Sequence, residues 1–214
     1  MQKIFFISDT HFSHRAILGF TDRGKTFSSI EAHDEAVIDS INKMVGKRDF
    51  LYHLGDFCWE DTARKQTLLA KDILSKIKCR NVHMLMGNHD PCTNDGQPRE
   101  DFASLFKSCT TYKVIRIPET TVECGLLDAN KRKVILSHYA IRSWWGMHGG
   151  SYHLYGHSHA TLPENDTRSF DVGLDSVSIL FGGYRPVSSM EVCERLIDRM
   201  PRTVDGHGTR VKSV

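Results

Sequence analysis

At 214 residues the chain is long enough for one domain to bury a core without disulfides, and its 40% hydrophobic and 25% charged content excludes a fibrous or largely disordered protein. A net charge of +2 offers no long-range field for duplex DNA, and no apolar run approaches the roughly 20 residues of a membrane span. Six cysteines without a C-x-x-C pair, behind an N-terminus that turns polar at Ser8-Asp9, set the expectation of a reduced, cytoplasmic protein with no membrane role.

Ile4-Phe5-Phe6-Ile7 is a continuous apolar run, as expected of a strand covered on both faces, and it gives way at once to Ser8-Asp9-Thr10-His11. Ala32, Val37, Ile38, Ile41 and Val45 then recur near helical spacing, with Ser28 or Ser29 as N-cap and Gly46 as stop. A second strand is predicted over Phe50 to Leu54, a second helix over Asp61 to Lys78, and a third strand over Val82 to Met86. This succession of strand, helix and strand argues for a right-handed parallel arrangement whose functional groups collect at the carboxyl ends of the strands.

After a short helix around Asp101 to Lys107 the texture turns to strands, at Tyr112 to Ile117, Thr120 to Leu127, Lys133 to Leu136, Ser151 to Tyr155 and Ser169 to Val172. Asn130 marks a hairpin turn. A last amphipathic helix is expected over Ser189 to Arg199, which makes residues 1–200 the domain and the polar residues 201–214 a frayed tail.

Each apolar run ends in chemistry: Asp9-Thr10-His11, Gly55-Asp56, Gly87-Asn88-His89-Asp90, Ser137-His138 and Gly156-His157-Ser158-His159. Divalent transition metals take imidazole and carboxylate ligands at about 2.0–2.2 Å, held by backbone that positions each one independently. Asp9 and His11, two apart, face the same way if strand geometry persists, and His157 and His159 repeat the spacing. With Asp56, Asn88 and His138 they make seven candidate ligands from five strand ends, more than one metal takes. Two metals sharing Asp56 would use them all.

The ordered set D-x-H, G-D, G-N-H-D, an isolated His and G-H-x-H resembles the calcineurin-like metallophosphoesterase superfamily, with no ligand replaced between Ser8 and His159. The resemblance implies an α/β fold, a four-layer α/β/β/α sandwich of two mixed sheets flanked by helices, with the metal site at the carboxyl ends of strands. It also implies that Asp9, His11, Asp56 and His159 hold one metal while Asp56, Asn88, His138 and His157 hold the other. His89 would lie beside the metals and stabilise or protonate the leaving oxygen. Which carboxylate orients it stays open among Asp90, Glu60 and Asp61. Mixed imidazole, carboxylate and amide ligands suit manganese, with iron, zinc or nickel as alternatives. Two such cations about 3.5 to 4 Å apart lower the pKa of a bridging water, so that the hydroxide attacks phosphorus in line.

The remaining candidates divide between substrate contact and ordinary packing. His14 either reaches a substrate phosphate or orients the first loop. In residues 141–150, between two ligand blocks, Arg142 suits a phosphate and Trp144 or Trp145 a stacked base, against the ordinary role of tryptophan as a loop anchor. Tyr184 and Arg185 are a second pair of candidates. His53 is assigned to packing, and Lys131-Arg132-Lys133 to a soluble hairpin tip. The expected activity is hydrolysis of a small phosphomonoester or phosphodiester, nucleotides and cyclic nucleotides included. A nuclease acting on single-stranded nucleic acid is the enzyme alternative, and a non-catalytic scaffold the alternative of another class.

Overall fold

The computed structural model describes residues 2–118, 132–164 and 166–201. In chain order the first half carries β1 (Ile4–Ile7), α1 (Ile17–Phe20), α2 (Arg23–Thr26), α3 (Ile30–Met44), β2 (Phe50–His53), α4 (Ala63–Lys76), β3 (Asn81–Leu85), α5 (Glu100–Ala103) and β4 (Ser108–Thr110). The second half carries β5 (Tyr112–Ile117), β6 (Arg132–Ser137), β7 (Tyr152–Tyr155), β8 (Ser169–Asp171), α6 (Leu174–Phe181), β9 (Val187–Ser188) and α7 (Ser189–Leu196).

The strands form two mixed sheets. One has the order β4-β3-β2-β1-β9, with β1 to β4 parallel and β9 antiparallel on β1. The other has the order β5-β6-β7-β8, antiparallel between β5 and β6 and parallel beyond. Side chains alternate between two cores with the period of two that a pleated strand imposes. Phe5, Ile7, Leu51, Val82 and Met84 face α3 and α4, where Val37, Ile41, Ala70 and Ile73 meet them. Phe6, Tyr52 and Leu85 face the second sheet, against Val134, Leu136, Leu154 and Phe170, with Val177, Val192 and Leu196 from the last two helices closing this core. The outer face of the second sheet, at Ile135, is covered by Trp144 and Met147.

The long helices begin where side-chain oxygens satisfy free backbone N–H groups. Ser29 accepts from Ala32 at 3.2 Å, and Thr62 accepts from Lys65 at 3.3 Å. That second cap starts α4 at Ala63, two residues later than the periodicity predicts. A capping box between Ser188 and Glu191 starts α7, which stops at Leu196, short of the predicted Arg199. Arg199 instead donates to the carbonyls of Thr167 and Ser169. The predicted helix near Asp101 shrinks to Glu100–Ala103, because Lys107 already donates to Val82 and leads the chain into β4. The predicted strand at Thr120 to Leu127, the Asn130 turn and residues 202–214 lie outside the described residues. Cys58, Cys79, Cys92, Cys109 and Cys193 are free thiols, and no helix among the described residues is long and apolar enough to cross a membrane.

This topology positions the site. The carboxyl ends of β1, β2 and β3 in one sheet and of β6 and β7 in the other converge, and the chain leaves each through one of the polar blocks.

Candidate metal centre

The loops after β1 and β2 run side by side beyond the strands. Asp9 donates its N–H to Gly55 O, His11 to Asp56 O and Phe12 to Phe57 O, each at 3.0 Å. Asp9, His11, Asp56, His157 and His159 all have positive φ, between 45° and 68°, and they are five of the seven non-glycine residues in that region among those described. Left-handed backbone costs non-glycine residues of the order of 1–3 kcal/mol each and persists where the surrounding structure over-determines it, as it does at functional sites. The glycines of the blocks are there for close approach. A Cβ on Gly87 would strike the Asp56 carboxylate, and one on Gly156 would strike Ser8 Oγ and the Asp9 carboxylate.

Two groups of donor atoms result, Asp9 with His11 and His159, and Asp56 with His138 and His157, the atoms of each lying within 4.8 Å of one another. Asp56 Oδ2 stands between them, 3.5 Å from His11 Nε2 and 3.5 Å from His138 Nε2. Asn88 joins the second group, its Oδ1 3.1 Å from His138 Nε2. The Asp9 carboxylate crosses between the sheets to accept the His157 N–H at 3.0 Å. All seven sequence candidates are thus brought together at one place.

Two of the histidines are held through Nδ1 on oxygen acceptors, which fixes the tautomer that offers a lone pair inward. His138 Nδ1 lies 2.8 Å from Leu54 O, and His159 Nδ1 lies 2.7 Å from Asp175 Oδ2. His11 Nδ1 meets His14 Nδ1 at 3.1 Å. Its Nε2 is buried with no hydrogen-bond partner, and burial with the surrounding histidine and arginine charges drives its pKa far below the ordinary imidazole value. An uncharged, buried nitrogen without a partner, beside carboxylates, is the donor set that a divalent cation satisfies. Burial, and then the nearby Asp171 and Asp56 charges, hold the Asp9 carboxyl well above its usual range. Opposite charge at this place would relieve that repulsion.

Behind the ligands lies a buried ionic network. Arg23, with no solvent exposure, forks onto Asp175 through Nε at 2.9 Å and Nη2 at 2.7 Å, and also donates to Asp9 O at 2.7 Å. Burial would raise the Asp175 carboxyl, but the contacts from His159 and Arg23 win and hold it far below its usual value. Through Asp175 the guanidinium orients His159, and through the carbonyl it holds Asp9. Asp90 accepts the backbone N–H groups of Asp56, Phe57 and Gly87. Its carboxylate is therefore committed to the loops, and Asp61 is committed to Lys65. Among the described residues the His89 ring is set by other rings, Trp59 at 5.1 Å, His11 at 5.5 Å and His14 at 6.2 Å, while its N–H donates to Asp56 Oδ1 at 2.9 Å.

The substrate candidates fall in different places. His14 stands beside His11, on the ligand set. Arg142 is exposed on its segment. Trp144 is 8% exposed and donates Nε1–H to Ser151, the contacts of a loop anchor. Tyr184 packs on Phe27 and under Arg23, and Arg185 pairs with Glu191 at 2.8 Å beside α7. His53 is buried as expected, 2.9 Å from Thr10 Oγ1. Residues that sequence reasoning passed over are Arg23, Asp175, Asp171, Trp59 and Tyr139. For Asp171 and Asp175 there was a signal: the predicted strand at Ser169 also runs into acids at the same end of its sheet.

A family model described as calcineurin-like phosphoesterase matches residues 2–177. An uncharacterized protein of Methanocaldococcus jannaschii is 34% identical over 90 residues, and the match spans 42% of this chain and about half, 48%, of that relative's length. The Gene 66 protein of Mycobacterium phage L5 is 24% identical over 82% of this chain and 88% of its own. A crystal structure of a protein of unknown function from Aquifex aeolicus aligns with a TM-score of 0.59 at 21% identity, over 92% of this chain and 98% of that one, a likeness of fold.

Proposed function

Because the chain belongs to the calcineurin-like phosphoesterase family, we propose that it hydrolyses small phosphomonoesters or phosphodiesters with two divalent metal ions that share Asp56. The observation that carries this reading is the equal 3.5 Å separation of Asp56 Oδ2 from His11 Nε2 and His138 Nε2, each of which belongs to a different donor group. Asp9, His11 and His159 would complete one site, and Asn88, His138 and His157 the other. Manganese fits this mixture of imidazole, carboxylate and amide donors, as do iron, zinc and nickel. When bound, such a pair polarises a phosphoryl group and lowers the pKa of water.

The chain's own residues do the rest. Asp56 is fixed by the His89 N–H on Oδ1, which leaves Oδ2 turned toward the two groups. Asp9 and His11 are fixed by main-chain bonds to the neighbouring loop, so little reorganisation remains when charge develops on a substrate. His89 stands beside the donor groups with a half-buried ring, placed to give a proton to the departing ester oxygen. The test is elemental analysis of protein purified without chelator, followed by manganese-supplemented assays on an aryl phosphate and an aryl phosphodiester. Absence of both bound metal and turnover would overturn the reading.

A further inference from the structure

Trp59 follows Asp56 by three residues and is 39% exposed beside the donor groups. Its ring stacks on His14 with centroids 4.9 Å apart and planes at 25°, and it meets His89 edge-on at 5.1 Å and 76°. Both histidines in turn face His11, at 5.1 Å and 5.5 Å. The indole therefore sits one histidine ring out from the candidate ligands. Phe20, 77% exposed, meets the same His14 ring edge-on at 6.4 Å and 71°.

This wall of rings is rigid. The main-chain N–H of Trp59 donates to Phe12 O at 2.9 Å. The Gln66 amide, from α4, binds the carbonyls of Cys58 and His89 together and so fixes the distance between the Trp59 and His89 loops. The two tryptophans of the 141–150 segment are otherwise explained: Trp144 is buried against Ser151, and Lys133 Nζ covers the face of Trp145 at 3.8 Å. Trp59 and Phe20 remain partly in water, next to the place where an ester would bind.

We infer that Trp59, with Phe20 beside His14, is a stacking platform for a nucleobase, so that the substrate class is a nucleotide phosphoester. The inference rests on the phosphoesterase reading above. A phenyl ester carries its ring directly on the reacting oxygen, which places it inside the histidines. A nucleotide interposes a sugar between phosphate and base, and so delivers a flat ring to a platform one histidine away. Every base has a π-face, so selection acts on the presence of a base and not on its identity.

Two diesters with the same p-nitrophenyl leaving group test this on the manganese-loaded chain: the thymidine 5′-monophosphate ester and the methyl phosphate ester. The wild type should prefer the thymidine ester by roughly tenfold or more in kcat/KM, about 1.4 kcal/mol and within the range of base–aromatic stacking. Trp59→Ala should bring the ratio near one, and Trp59→Phe should keep most of it. Equal turnover of both esters by the wild type, or an unchanged ratio in Trp59→Ala, overturns the platform and leaves the phosphoesterase reading intact. Quenching of indole fluorescence by thymidine 5′-monophosphate gives a readout without turnover. It is expected in the wild type and lost in Trp59→Phe, and quenching that persists in that variant overturns the platform. Cleavage of a single-stranded oligonucleotide would assign the base to a strand, and turnover of the mononucleotide ester alone would assign it to free nucleotides; either supports the platform.

Discussion

Asp90 grips Asp56 through the main chain, its Oδ2 accepting the Asp56 N–H at 2.8 Å. The same carboxylate takes the N–H groups of Phe57 at 2.9 Å and Gly87 at 2.7 Å, so it ties the loop after β2 to the turn after β3 and holds Asp56 at φ 55°. Burial, with the Asp56 charge added, pushes this carboxyl up to about 6 despite those bonds. Asp90→Asn keeps one acceptor oxygen and turns an amide toward donors. Each buried donor left without a partner costs about 1–3 kcal/mol. Urea denaturation of the metal-free chain should register a loss of that size, and metal titration should find both sites weaker. Unchanged stability would show that the loops hold without the carboxylate.

Asp56 itself is the sharpest test of a shared ligand. Asp56→Asn should weaken both metal sites together, by no less than the roughly 10–100-fold that outer-shell changes cost. Asp9→Asn and Asn88→Ala should each weaken mainly one. Calorimetric titration with manganese separates the cases, and two metals bound at wild-type affinity in Asp56→Asn would end the shared-carboxylate model.

Among the described residues, His89 meets the donor groups through its backbone N–H on Asp56 and its ring against His11. His89→Ala should therefore retain both metals while kcat falls by about 10²- to 10⁴-fold, the usual contribution of a positioned acid. Loss of metal from this variant, measured by elemental analysis, would reassign His89 to the ligands.

What the sequence discloses and what it hides follow from the range of each interaction. The five polar blocks are local, each written within four residues at the end of an apolar run, and so they can be read in order. The network behind them is not. Arg23 and Asp175 lie 152 positions apart, and Arg23 occupies a helix of 4 residues with no periodicity to announce it. The strand β4 reads Ser-Cys-Thr and offers no apolar run at all. Trp59 and Trp144 look alike as loop tryptophans, and only tertiary packing separates them, burying Trp144 on the second sheet and leaving Trp59 beside His14. Tyr184 and Arg185 carry the chemistry of a phosphate site, yet a capping glutamate, Glu191, takes the guanidinium.

His153 should make the fold sensitive to acid. The ring is fully buried, accepts the Ile141 N–H on Nε2 at 3.0 Å, and its pKa is lowered from 6.5 to about 4, mainly by burial. With the folded pKa depressed, the unfolded chain takes up the proton first. Above pH 6.5 nothing is lost; as pH falls from 6.5 toward 4 the unfolded state gains, to a total of about 3 kcal/mol at 1.36 kcal/mol per unit. His153→Gln should flatten the stability difference between about pH 7 and about pH 4.5 by roughly 2–3 kcal/mol. Parallel pH profiles for variant and wild type in urea would show that this ring does not titrate on unfolding.

Arg23 is where stability and metal binding can be told apart. Its guanidinium neutralises Asp175 in a buried fork and holds the Asp9 carbonyl. Arg23→Met removes one partner of a buried pair and should cost about 3–5 kcal/mol. Lysine lacks the planar fork, so Arg23→Lys should recover only part of this. A purely structural role predicts that the double variant Arg23→Met, Asp175→Leu, which removes both charges, recovers stability and metal affinity alike. A positioning role predicts otherwise, because the His159 Nδ1 contact at 2.7 Å goes with Asp175. Stability should then return while manganese affinity at the Asp9, His11 and His159 group stays roughly 10–100-fold low, the effect expected when an outer-shell carboxylate leaves a ligating histidine. Full recovery of that affinity in the double variant would reduce Arg23 to a core ion pair.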